Sequence, residues 1–345
     1  MESKKMSNRP RLAALLLGSL LCGGAWAQQG GATTITSKDG TGQPVMVDVI
    51  RGLSAATTSN IANDLSLRSL TAVLAGTGRD LGTGTAAASG GNRWNLWGAA
   101  AENRTASSYQ PLQSSSNIGT LSVGVDYRIN DGLIVGLAVA GDRSRSNLNY
   151  VAGGGNLSGD GYTVAPYFGY ILNRFWTLDG SVGYGRSSYD ISGGGVSGSF
   201  RGTRTFGSIG LNYRQQIAGS RWGVIGRGAL TSLSSRTSSF TATNNVFTDG
   251  TASDLTQLRL GGQLAYAASQ FTPYFGLTYV YDIRRPGSLI VGGQTSSGDR
   301  DAWVPAIGLR FSGSGSVYGG LQLSSERGRS EAKNDQLLLS MGVRF

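Results

Sequence analysis

From about residue 93 onward, apolar residues recur at every second position, in runs separated by clusters of Gly, Ser, Thr, Asn and Asp. A period of two is the mark of a strand with one apolar face. Segment 118–128 places Leu121, Val123, Val125 and Tyr127 on one face and Thr120, Ser122, Gly124, Asp126 and Arg128 on the other. Segment 256–266 sets Leu258, Leu260, Gly262, Leu264 and Tyr266 against Gln257, Arg259, Gly261 and Gln263. The chain ends with Leu337, Leu339, Met341, Val343 and Phe345 against Gln336, Ser340, Gly342 and Arg344, Leu338 being the exception on the polar face. Similar segments begin near 93, 132, 161, 175, 204, 221, 271, 302 and 316, which brings the expected strands to twelve.

The connections alternate. Short ones are expected at 130–132, near Asn173, at 214–220, near Ser269 and at 312–316. Long ones are expected over 104–116, 143–159, 187–199, 234–253, 284–300 and 325–334. Strict alternation predicts up-and-down antiparallel hairpins, and outer-membrane barrels carry short periplasmic turns and longer outer loops. Tyr127, Tyr170, Trp176, Tyr213, Trp222, Tyr266, Phe271, Phe311 and Phe345 each abut a short turn or the C-terminus. If the strands pair in order, these rings form a periplasmic girdle at the membrane–water boundary. Tyr162, Tyr184, Tyr281 and Trp303 are the less regular candidates for an outer girdle. The small, polar face then suits a lumen and the apolar face suits lipid. The fold expected is all-β: a twelve-stranded antiparallel transmembrane outer-membrane β-barrel, closed by pairing the strand from Trp94 with the strand ending at Phe345. Closure satisfies the backbone groups that hydrocarbon cannot.

Upstream, the pattern changes. Lys4, Lys5, Arg9 and Arg11 precede the apolar run Leu12 to Leu21, and Ala25-Trp26-Ala27 is a small-x-small site before Gln28. Residues 1–27 therefore read as a cleavable signal peptide. Residues 28–58 are polar and rich in Gly and Thr, with one apolar stretch at Val45 to Ile50. Residues 60–75 read as a helix with Asn60 as N-cap and Gly76 as a C-terminal stop. The expected division is 1–27 signal, 28–92 short N-terminal region with this helix, and 93–345 barrel.

Composition narrows the chemistry. The chain has no His, and its single Cys, Cys22, lies in the signal. Histidine-dependent catalysis, histidine–metal sites and disulfides are excluded, and no enzyme activity, cofactor or metal is expected. The formal charge of +10 loses four bases and one acid with residues 1–27, leaving +7. The charge is spread over a secreted barrel, so no nucleic-acid partner is expected. Arg128, Arg227, Arg259, Arg310 and Arg344, with Asp126, Asp179 and Asp282, fall on the lumen face, where they either contact a helix or simply meet water. Arg143, Arg145, Arg201, Arg236, Arg284, Arg285, Arg327 and Arg329 fall in the expected outer loops. Arginine pairs bidentately with phosphate, so outer-membrane lipid and lipopolysaccharide head groups are one expected contact, and solvent is the other.

Residues 93–345 resemble the C-terminal translocator domain of autotransporters, the type V secretion family. Trp94-Asn95-Leu96-Trp97-Gly98, the segment Leu121 to Tyr127, Thr272 to Tyr279 and the terminal Leu337 to Phe345 carry the resemblance. It implies a barrel with a helix inside its pore, which anchors and exports an N-terminal segment. It implies that Leu337, Leu339, Met341, Val343 and Phe345 form a signal for the barrel-assembly machinery, with periplasmic chaperones as further partners. It implies a monomer in a Gram-negative outer membrane. Residues 28–92 are far shorter than the passengers usual in that family, so a porin-like channel or a structural or adhesive outer-membrane protein stands as the alternative.

Overall fold

Every alternating segment becomes a strand, and the strands close on themselves. The computed structural model describes residues 93–345 apart from 109–111, 151–152, 194, 246, 269, 286–289, 292–293, 296–297 and 313–316, together with helical residues at 53, 54, 56–58, 60–62 and 65. The first strands are β1 (Trp94–Ser107), β2 (Leu112–Asn130), β3 (Leu133–Tyr150), β4 (Gly153–Ile171), β5 (Trp176–Gly193), β6 (Val196–Gln216) and β7 (Trp222–Thr237). A small ribbon, β8 (Phe240–Thr241) and β9 (Phe247–Thr248), precedes β10 (Ala252–Tyr266) and β11 (Phe271–Arg284). A second ribbon, β12 (Ile290–Val291) and β13 (Gln294–Thr295), precedes β14 (Asp301–Ser312), β15 (Val317–Glu326) and β16 (Ala332–Arg344).

The twelve long strands form one closed antiparallel barrel, ordered β1-β16-β15-β14-β11-β10-β7-β6-β5-β4-β3-β2. Closure runs from Asn95 opposite Arg344 to Ser107 opposite Ala332. Below that register, Trp94 and Phe345 exchange backbone hydrogen bonds of 3.3 and 3.1 Å.

The expected long loops need correction. Much of 104–116, 143–159 and 187–199 is strand, and β3 and β4 are joined only by 151–152, β5 and β6 only by 194–195. Pairing continues in register up to Leu112 opposite Tyr150 and Tyr150 opposite Gly153. Ser, Asn and Gly fill these strand ends because both faces leave the hydrocarbon there, so the hydrophobic signal stops while the ladder does not. A strand crosses a bilayer in ~9–11 residues. Strands β2 to β6 have 18 to 21, so they stand well clear of it at the long-hairpin end.

The short turns are built by side chains that mimic the backbone. Asn130 Oδ1 accepts the Gly132 N–H at 2.9 Å, and Asn173 Oδ1 accepts those of Phe175 and Trp176 at 2.9 and 3.0 Å.

The apolar face points outward. Leu121 is 62% exposed, Leu339 47%, Met341 52% and Phe345 61%, within a girth of exposed Leu, Val and Ile that water would not tolerate. At the short-turn end, rings pair across strands: Trp94 with Tyr127 at 4.7 Å between centroids, and Trp176 with Tyr213 and Trp222 with Tyr266 at 5.0 Å. Phe271 lies opposite Phe311, and Tyr170 opposite Leu133. Trp94, at the start of β1, joins this level. Towards the other end, Tyr162, Tyr184 and Trp303 are exposed, Tyr281 is half-buried, and Tyr279 meets Trp303 at 5.0 Å.

Inward-facing aromatics lie flat over glycines of the neighbouring strand. A Cβ on Gly136 would sit 2.3 Å from the Tyr167 ring, and one on Gly342 2.3 Å from the Tyr318 ring. Tyr167 accepts the Trp97 indole N–H at 2.7 Å from where it rests on Gly136. Gly136→Ala is therefore expected to displace Tyr167 and lower the urea midpoint of the folded barrel, an overpacking cost of about 1–3 kcal/mol. Heat-modifiable gel mobility across a urea series measures it; an unchanged midpoint would show that the ring moves freely.

Candidate functional site

The described helical residues between 53 and 65 are all buried, and their neighbours are inward-facing barrel residues. Leu53 and Ala56 pack with Ile118, Leu148, Leu157, Tyr189 and Phe200, which lie on the upper parts of β2 to β6. Ile61, Ala62 and Leu65 pack with Trp97, Ala99, Ala138, Ala165, Tyr167 and Leu338, lower in the wall. The helix thus runs from the long-hairpin end toward the short-turn end as the chain proceeds. Small wall residues (Ala99, Ala101, Ala138, Ala140, Ala165) make room for it. Leu338, the apolar exception on the polar face of β16, belongs to the same cluster.

Among the described residues, polar contacts tie helix to wall. Gln336 Nε2 donates to Asn60 Oδ1 at 2.6 Å, and the Ser54 and Ser235 hydroxyls are 3.2 Å apart. Asn60 was expected to cap the helix, but helical residues precede it from Leu53, so it lies inside. Period-3.6 reading placed the start late because Ser54, Thr57 and Thr58 look like linker. In the lumen they are buried against the wall at 1–2% exposure. The remaining residues of the expected helix, 63, 64 and 66–75, lie outside the described residues. The side-chain amide of Asn103 and the hydroxyls of Thr58 and Thr120 are buried with no hydrogen-bond partner among the described residues.

The predicted lumen charges sort into networks. Asp126, 1% exposed, accepts from Asn95 and, at 3.3 Å, from the Trp97 indole, while Tyr318 donates to Asn95 at 2.9 Å. Asp179 binds Arg227 at 2.8 Å and Asn212 at 2.7 Å. Arg310 donates to Gln263 at 2.6 Å and lies 4.0 Å from the Tyr274 ring centroid. Arg344 lies 4.7 Å from that of Tyr318. Asp282 accepts from Gln257 and Arg329. Arg259 is half-buried on the same inward face, and Arg128 is half-exposed at the short-turn end of β2.

Two departures concern arginines. Arg329, expected in an outer loop, turns into the barrel mouth and binds Asp282 and Glu326 at 2.7 and 2.9 Å. Burial opposes its charge, but the two carboxylates outweigh that and hold the guanidinium above the ordinary arginine range. Arg143, Arg145, Arg201, Arg236 and Arg284 sit on outward strand faces rather than in loops, Arg327 just past β15, and Arg285 bonds the Asp299 carbonyl.

One pair was missed altogether. Arg204 of β6 binds Asp142 of β3 across two intervening strands, with both side chains buried at 2% and 7% exposure. Its Nε also donates to Thr163 at 2.9 Å. The guanidinium can lie along the wall because Gly185 and Gly161 stand beneath it; a Cβ there would meet Arg204 atoms at 2.8 and 3.1 Å. Alternation puts Arg204 on the inward face, but nothing local names Asp142 as partner.

An apolar exterior, rings gathered at the short-turn end, a polar lumen and helical residues packed within it are the features of a transmembrane outer-membrane barrel. The family model described as the autotransporter β-domain matches residues 95–324, and the chain belongs to that family. No curated protein matches it. Among solved structures it is similar to the translocator domain of the autotransporter NalP from Neisseria meningitidis, with 14% identity, TM-score 0.64 and coverage of 85% of this chain and 99% of that one. The transport unit of the autotransporter AIDA-I from Escherichia coli gives 13% identity, TM-score 0.63 and coverage of 81% and 98%. The β domain of the Bordetella autotransporter BrkA gives 16%, 0.57, 74% and 99%. The protein is an outer-membrane β-barrel of the autotransporter translocator type, in a family of secretion barrels.

Proposed function

We propose that this barrel carries the chain upstream of Leu53 through its lumen to the cell surface and holds it there, with no catalysis of its own. The observation that supports this most is the direction of the helix, whose N-terminal residues pack among the upper strand ends and whose Leu65 packs near Trp97. Export begins with removal of residues 1–27 after Ala27. The C-terminal stripe Leu337, Leu339, Met341, Val343 and Phe345 is read by the barrel-assembly machinery, after periplasmic chaperones have kept the strands apart. The outward arginines above the apolar band meet lipopolysaccharide phosphates. The barrel works as a monomer, its twelve long strands paired around one closed wall.

Trypsin on intact cells tests the direction. Lys38 and Arg51 precede the described helical residues in the chain. Cleavage there without permeabilisation, leaving the barrel intact, is the expected result. Protection until the outer membrane is opened would reverse the topology.

A further inference from the structure

The barrel exterior is not smooth. A groove of about 490 Å³ opens on its outer face across β14, β15, β16 and β1. Its floor is apolar: Pro305, Ile307, Leu323 and Leu337. Ile307 lies opposite Leu323, Leu323 opposite Leu337, and Leu337 opposite Glu102, so these residues form one paired row across four strands. At the next outward position Ser325 lies opposite Asp335 and Asp335 opposite Arg104. The groove therefore straddles the line where the lipid-facing stripe of β16 ends, at Leu337, and polar side chains begin, at Asp335.

The groove exists because the wall is interrupted. Between Ala306 opposite Ser324 and the bridge of Trp303 with Arg327, the β14–β15 ladder lacks pairs. Pro305 sits in that gap and has no N–H to donate.

Its rim carries cations. Arg104 lies 3.4 Å from Glu102, and Arg327 2.9 Å from Asp335. Arg104 is the cation of the groove lining itself, against Glu102 and Asp335; Arg327 stands at its margin, and exposed Lys333 follows one outward position beyond Asp335, beside Glu331 in the neighbouring cavity. An occupant must be an amphiphile lying in the membrane plane, with acyl chains against the apolar floor and an anionic head at the rim. The long-hairpin end faces the outer leaflet, and arginines favour the bidentate geometry of phosphate. We infer that this groove is a specific site for the phosphorylated glycolipid of the outer leaflet, lipid A, its acyl chain on Leu323 and Ile307 and its phosphate at Arg104, Arg327 and Lys333. The inference rests on the orientation proposed above.

Native mass spectrometry of the full-length folded protein tests it, using lipid A, dephosphorylated lipid A and phosphatidylglycerol as probes. Wild type should retain one lipid A and lose it about tenfold more readily when Arg104→Ala and Arg327→Ala are combined. Leu323→Trp, which fills the floor and leaves the rim charges in place, should also lose the adduct. Heat-modifiable mobility confirms that each variant folds, a lipid-facing Trp being well tolerated by a barrel exterior. Equal retention by wild type and both variants overturns the site, as does equal retention of phosphatidylglycerol. An epitope inserted within 240–248 and probed with antibody on intact cells reports orientation separately. An inaccessible epitope overturns the assignment to the outer leaflet, whereas an accessible epitope with no selective adduct overturns the groove alone.

Discussion

Leu339→Arg should fail to reach the folded, heat-modifiable form in outer-membrane fractions, while its neighbour Ser340→Arg should reach it. Leu339 is 47% exposed on the apolar exterior, opposite Ala100 of β1 and Leu321 of β15. A guanidinium there meets hydrocarbon near the bilayer midplane, at about 2–4 kcal/mol. Ser340 points the other way, half-buried, with its hydroxyl 3.4 Å from the Gly320 carbonyl. An arginine at that position joins a lumen that already holds Arg310 and Arg344. The two substitutions are adjacent and introduce the same side chain, so the comparison turns on which face receives the guanidinium. Equal folding of both would mean that the two faces are wrongly assigned.

The second large effect is expected at Asp142. Asp142→Ala leaves the Arg204 guanidinium buried at 2% side-chain exposure without its carboxylate. Uncompensated buried charge costs about 3–5 kcal/mol, far more than an exposed pair is worth. Urea denaturation of the refolded barrel should show the full loss for Asp142→Ala. Most of it should return in the double variant Asp142→Leu with Arg204→Met, where no charge is left to solvate. The exposed pair of Arg143 with Asp160, two residues of which are 69% and 66% exposed, is the control, and breaking it should move the midpoint little. If Asp142→Ala behaves like that control, lumen water reaches Arg204 and the pair does not brace the wall.

The two cases differ in how far the amino-acid order alone could reach. The face of Leu339 follows from alternation, because a period of two is a local property of the backbone and the bilayer demands one apolar face. The same reasoning yields strand number, up-and-down order, closure of the Trp94 strand on the Phe345 strand, and the ring level around Tyr127, Trp176 and Trp222. Strand length was legible only inside the hydrocarbon. Beyond it, residues 143–159 pair through Ser, Asn and Gly, and polar residues on both faces look the same whether the chain is a loop or a tall hairpin. The helix start was lost for a related reason: Ser54, Thr57 and Thr58 are linker-like in isolation and become helical against a wall that shields them.

The order of residues by itself determined the class of fold, the sidedness of each strand and the absence of histidine chemistry, since each depends on neighbours along the chain or on composition. Only the tertiary structure decided the partners inside the lumen. Arg204 reaches Asp142 over two glycine-bearing strands, Arg329 turns inward to Asp282, and Gln336 meets Asn60 from 276 residues away. Such pairings depend on the curvature and shear of the closed wall, which bring distant inward positions to one height, and no local pattern encodes that geometry.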